Sequence, residues 1–134
     1  MAKIKLLVDT DIIIDYLKGI KPAREFFKSE NFDIYCSVLS QKELLSKKGL
    51  SDSERKRIKE LLLRLKVLKI DNEVSKKYML LLNNYGEKQG SIADYVIAAT
   101  VWAKTLPLLT RNRKHFDQIK EIQLSPVYED NAAL

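Results

Sequence analysis

One cysteine and one histidine, Cys36 and His115, are all the soft metal ligands the 134-residue chain offers. No intrachain disulfide and no cysteine/histidine metal cluster can be built from them. Any metal chemistry must therefore use oxygen ligands. Long hydrophobic runs are missing too: stretches such as Ile12 to Ile14, Leu61 to Leu63 and Val96 to Ala99 fall far short of the roughly 18 to 20 residues of a membrane span. The opening residues MAKIKLLVDTD turn acidic at once, without an apolar signal core and small-residue cleavage site. A cytoplasmic protein with no membrane partner is the expectation. No internal repeat, low-complexity tract or linker interrupts the chain.

What is present is a globular balance, with 46% hydrophobic and 31% charged residues. The length suits one core, so residues 1–134 are read as a single domain. The net charge of +6 is concentrated. Between Lys42 and Lys69 stand ten basic residues against four acidic ones, a local excess equal to that of the whole protein. Such a field attracts polyanions, of which the nucleic-acid backbone is the commonest in a cell. A solvated lysine-rich helical face that only aids solubility is the alternative.

Apolar periodicity predicts alternating strands and helices. Ile4 to Val8 (IKLLV) reads as a buried parallel strand, and Ile12 to Leu17, stopped by Gly19, as a helix. Pro22 opens a short helix through Phe27. Asp33 to Cys36 is a second strand, after which Ser37 or Ser40 caps the helix carrying Glu43. Ser53 to Leu65 is an amphipathic helix and Val67 to Ile70 a strand. Helices follow over Val74 to Tyr85, interrupted near Gly86 and Gly90, and over Ile92 to Lys104, whose alanines allow close packing. Pro107 to Thr110 is a fourth strand, Arg113 to Ile119 a short helix, and Ile122 to Leu124 an edge strand. Helical crossovers between strands imply a parallel sheet covered on both faces, with ligands beyond the strands' carboxyl ends. That directs attention to Asp9, Thr10 and Asp11, to the residues from Ser37 onward, and to Thr110 to Asn112.

Asp9 follows a buried strand, where its carboxylate either faces a crevice or caps a helix. Asp11 and Asp15 lie one turn apart, on the site's face or as first-turn acids complementing the helix dipole. Glu43 stands three residues after Ser40, and Asp94 three after Ser91, so both fit capping-box spacing. Asp94 nevertheless puts a carboxylate into the first turn of an apolar helix, and a buried carboxylate needs a donor, a cation or a metal. Convergence of Asp9, Glu43 and Asp94 would create repulsion that Mg²⁺ or Mn²⁺ relieves. Such an ion lowers the pKa of a bound water and stabilises charge on a phosphoryl group.

Four ordered segments, LLVDTDIIIDYL, SVLSQKELL, GSIADYVIAAT and LPLLTRNRKHF, carry a resemblance to the PIN domains over nearly the whole chain. The resemblance implies a three-layer α/β/α fold with a central, mostly parallel twisted sheet, and Mg²⁺- or Mn²⁺-dependent cleavage of RNA by an activated water. By analogy Asp9, Glu43, Asp94 and Asn112 would hold the metal, with Thr10, Asp11 and Thr110 as accessory residues. A compact chain of this length is most similar to VapC-type toxins, which implies a homodimer and a cognate antitoxin. Asn112 departs from the aspartate frequent at its position and contributes no charge, whereas Asp11 stands where Asn or Ser is frequent and would restore one. Weaker binding of a second ion is expected. Arg111, Arg113 and Lys114 flank the crevice as RNA-phosphate contacts or as ordinary surface charge. His115 is expected at the surface, with the metal supplying the activated water, and Asp117 is expected to point away. Tyr78, Met79, Leu81, Leu82 and Trp102 read as core or dimer interface. Two rival readings remain: a receiver-like phosphotransfer domain using Asp71, and a PIN-like module that binds RNA or protein without catalysis.

Overall fold

The computed structural model describes residues 2–87 and 91–128. Four strands, β1 (Ile4–Val8), β2 (Phe32–Ser37), β3 (Lys66–Leu68) and β4 (Leu108–Leu109), form one sheet in the order β3-β2-β1-β4. Every pairing is parallel. Six α-helices accompany them among the described residues: α1 (Thr10–Leu17), α2 (Lys21–Lys28), α3 (Val38–Ser46), α4 (Asp52–Leu63), α5 (Asn72–Tyr85) and α6 (Ile92–Lys104).

Side chains alternate across the strands and so build two cores. Leu6 and Val8 of β1, Ile34 and Cys36 of β2 and Leu109 of β4 meet Ile12, Phe27, Leu44 and Leu61 from α1 to α4. Leu7 and Leu108 point the other way, to Val74, Leu81, Tyr95 and Ala98 from α5 and α6. The sheet is thus the middle of three layers, as expected, and its central strands are apolar on both faces because both faces are covered. In α6, Ala98 and Ala99 are fully buried, which lets the helix lie close to its neighbours.

Element ends differ from the sequence reading by a residue or two, with two larger corrections. Past β4 only one 3₁₀ turn forms, Arg113–His115, in place of a helix to Ile119. Phe116 and Ile119 are both sunk into the α5/α6 core, which holds the segment along the sheet edge. The expected edge strand is a single parallel bridge between Leu124 and Leu108. β4 itself is two residues long, because Pro107 has no N–H to give and the Thr110 side chain is drawn into other bonds. The interruption foreseen near Gly86 is real, with Gly86 ending α5 at φ +72°; Gly90 lies outside the described residues.

Candidate active site

The register of β1 against its neighbour β4 sets the site. Val8 pairs with Leu109, so the next residues, Asp9 and Thr110, emerge side by side, and Asp9 N–H donates to the Leu109 carbonyl at 2.9 Å. Here the connections leave β1 and β4 toward opposite faces of the sheet, the switch point at which open α/β sheets bind ligands. Thr110, fully buried, donates its hydroxyl to Asp9 Oδ2 at 2.9 Å, while Asp9 Oδ1 accepts from Thr10 N–H at 2.8 Å. Asp9 therefore caps α1, one of the two roles foreseen for it, and does so at the switch point between β1 and β4.

Around it the site is unevenly satisfied. Asp11 Oδ2 accepts from Arg111 N–H at 2.9 Å, whereas its Oδ1 is buried with no partner among the described residues. Asp94 forms the capping box with Ser91: Ser91 Oγ accepts from Asp94 N–H at 3.1 Å, and Asp94 Oδ2 accepts from Ser91 N–H at 3.4 Å. The same Oδ2 lies 3.0 Å from His115 Nδ1, and Asn112 Nδ2 lies 2.8 Å from that nitrogen. Nδ1 carries either one proton or one lone pair, so it serves Asp94 or Asn112, one at a time. Burial pushes the Asp9 carboxyl above its usual range, the Thr110 and Thr10 bonds pull it back, and the Asp94 charge raises it further. Asp11 is pushed up to about 6, by burial first and then by Asp9.

Glu43 is placed differently. Ser37, not Ser40, caps α3, so the capping-box account of Glu43 falls away; Ser40 is buried and exchanges a 2.8 Å hydroxyl bond with Thr10. That bond ties α3 to the start of α1, and Glu43, exposed, lines a groove whose wall includes Thr10. Among the described residues no three Asp, Glu, His or Cys side chains are already gathered around one point in metal-holding geometry. Asp9 feels the charge of Asp94, whereas Glu43 lines the groove on the Thr10 side and is not brought into a common cluster with them.

The flanking cations are partly committed. Arg111 Nη1 pairs with Asp15 at 2.8 Å, and Asp15 also accepts from Tyr128 Oη at 2.8 Å. Arg113 Nη1 donates to the Ser125 carbonyl at 2.9 Å. Lys114 and Asp117 are exposed. Sequence reasoning set His115 apart as a surface residue; it is half-exposed, yet its Nδ1 lies within hydrogen-bond reach of both Asp94 and Asn112, to serve one or the other. The signal available was its spacing, three residues past Asn112. Asp71, the acid on which the receiver-like reading depended, caps α5 through Val74 N–H at 2.9 Å and pairs with Lys104 at 2.7 Å.

A model of the PIN domain matches residues 6–122. The chain belongs to the PIN-domain family. The receiver-like alternative is thereby set aside. Among PIN-domain relatives, Ribonuclease VapC1 of Methanocaldococcus jannaschii is 34% identical over 128 residues, covering 90% of this chain and 85% of the relative. Ribonuclease VapC10 of Mycobacterium tuberculosis is 30% identical over 122 residues, covering 88% and 90%. Among solved structures, VapBC2 from Rickettsia felis bound to a promoter DNA fragment superposes with a TM-score of 0.84 at 20% identity, over 94% of this chain and all of that one. VapBC-1 from nontypeable Haemophilus influenzae gives 0.75 at 26% identity, over 91% and 97%. The three-layer architecture is thus that of the VapC-type branch of PIN domains.

Proposed function

We propose that this PIN-domain chain is a metal-dependent endoribonuclease, the toxin of a VapBC-type toxin–antitoxin pair. The observation that carries the reading is the gathering of acids at the switch point: Asp9, held by Thr110, feels the charge of Asp94, and Asp11 next to it keeps a buried oxygen with no partner among the described residues. That concentration of carboxylates, with a single buried cysteine and a single histidine in the chain, suits a hard divalent cation such as Mg²⁺ or Mn²⁺. Asp9, Glu43, Asp94 and Asn112 would hold it, with Thr10, Asp11 and Thr110 in support. Bound there, such an ion supplies an activated water and charge stabilisation at a phosphodiester.

The chain's own residues do the positioning. Thr110 fixes the rotamer of Asp9, so that one carboxylate oxygen stays oriented without reorganisation. Ser91 does the same for Asp94 through the capping box. Glu43 is exposed on α3 and free to swing toward the crevice once a charge there attracts it. Arg111, Arg113 and Lys114 rim the crevice on the side where strand phosphates would enter.

RNA as substrate is supported by relatives named as ribonucleases, and an antitoxin partner by structural neighbours that are toxin–antitoxin complexes. Exposed Met79 and Leu80 on α5 and Ile92 on α6 are apolar surface suited to a homodimer contact. Incubation of a structured RNA with the protein and Mn²⁺, against a chelator control and against Asp94→Asn, tests the reading. Metal-dependent cleavage lost in the variant supports it. RNA binding without cleavage would favour a non-catalytic module. Anomalous scattering from bound Mn²⁺ would identify the ligands.

A further inference from the structure

We propose that a basic cavity at the far end of α1 is a second phosphate site, which grips the backbone of the RNA strand away from the bond being cut. The identity of the strand rests on the ribonuclease reading above; the site itself rests on the following geometry.

The cavity, about 320 Å³, is walled by α1, α2 and α4. Arg24 and Lys28 come from α2, and Arg57 and Arg64 from α4, with Glu60 the one acid in the lining. Among the described residues none of the four cations pairs with a carboxylate, and Glu60 instead lies 4.0 Å from Lys56. Two of them are anchored without being neutralised. Arg57 Nη2 donates to the Leu17 carbonyl at 3.0 Å, and Arg64 Nη2 to the Phe27 carbonyl at 3.5 Å. A guanidinium has five donors, so each keeps further N–H groups for an incoming oxygen. Arg24 lies over the turn at Gly19, where a Cβ would come within 3.6 Å of its guanidinium. Four like charges around one concavity repel each other, and an anion relieves that repulsion.

Continuity with the crevice says which anion. Leu17 and Arg57 also line the neighbouring groove of about 620 Å³, whose other end holds Thr10 and Glu43 and whose sides carry Lys18 and Lys47, with Glu54 as a second acid. Cations therefore recur along one surface path that begins at the carboxylates and ends in the cavity. The eight-residue α1 sets the separation at about 12 Å. A polyanion with charges at regular intervals matches this path better than a single small anion does. The basic excess of residues 42–69 thus acquires a place: two of its arginines face α2's Arg24 and Lys28 across a shared space.

The test is anisotropy of a labelled single-stranded RNA of about 12 nucleotides binding to the full chain over a salt series, with chelator present so that no strand is cut. Arg24→Gln/Lys28→Gln keeps two good helix formers on α2. Lys56→Gln/Lys59→Gln, on α4 outside the cavity lining, removes the same charge elsewhere. The cavity variant is expected to bind about tenfold more weakly and to lose about 1.4 from the salt slope, two phosphate contacts at roughly 0.7 each. The control variant should move by less than half of that, and a trinucleotide should bind all three proteins equally. Equal losses in both variants would reduce the cavity to part of a general field and overturn the proposal. Unchanged affinity in the cavity variant would also overturn it, as would a polyglutamate peptide that displaces RNA from the wild type but not from that variant, since the cavity would then prefer an acidic polypeptide. Absence of Mn²⁺-dependent cleavage of the same RNA would sink the nuclease reading while leaving this binding result intact.

Discussion

Asp11 carries a buried oxygen with no partner among the described residues, and its ionisation works against the fold. Its carboxyl titrates near 6 in the folded protein against an ordinary 3.8. Between those values the folded state holds more of the proton than the unfolded state, so stability falls as pH rises through the window. In metal-free buffer, Asp11→Asn should flatten the melting temperature between about pH 4 and 6. At neutral pH it should gain about 1 kcal/mol, discounted for partial solvent screening. Thermal melts across pH measure both. Asp94→Asn tests the opposite case, because an amide oxygen can still accept from Ser91 N–H. It should melt within a few degrees of the parent while RNA cleavage falls at least about 100-fold. Asp9 and Asp94 were legible in the chain because one follows an apolar strand and the other sits in the first turn of an apolar helix. The role of His115 was not, since nothing local says that a one-turn 3₁₀ helix will aim its ring at a carboxylate 21 residues earlier.

Among the elements, α6 ends on Thr105 at φ +55°, a left-handed conformation that costs a β-branched residue energy and glycine almost none. Thr105→Gly is expected to stabilise the protein by about 1 kcal/mol, read as a rise of a few degrees in Tm. The terminal segment is held by its side chains: Tyr128 reaches Asp15 on α1, and Asp15 in turn holds Arg111. Tyr128→Phe should cost about 1.5–3 kcal/mol, the value of one hydrogen bond to a charged acceptor, measured by denaturant titration. Strands β1 and β2 and helix α6 were readable from apolar runs and caps. β4 was readable only as a place, because two residues give no periodicity and its pairing with β1 is a tertiary matter. The helix expected after it was overridden by the burial of Phe116 and Ile119.

For the whole molecule, net charge was plain from composition, but its arrangement was not. Arg24 and Lys28 lie outside the basic segment and meet Arg57 and Arg64 only once α2 packs beside α4. Affinity for RNA should fall with salt with a slope of about −0.7 for each phosphate contacted, or near −3 for four contacts, measured by filter binding. The pairing of Asp9 with Thr110 spans 101 positions, and this has a bearing on synthesis. While the chain emerges from a ribosome, α1 can fold against β1 and β2, yet the carboxylate at the end of β1 has only the adjacent Thr10 N–H to orient it until the residues of β4 follow. A fragment truncated before β4 would carry Asp9, Glu43 and Asp94 without the threonine that aligns the first of them. Alignment of Asp9 should therefore arrive late in translation, so that interrupted products would carry the acids without their final geometry.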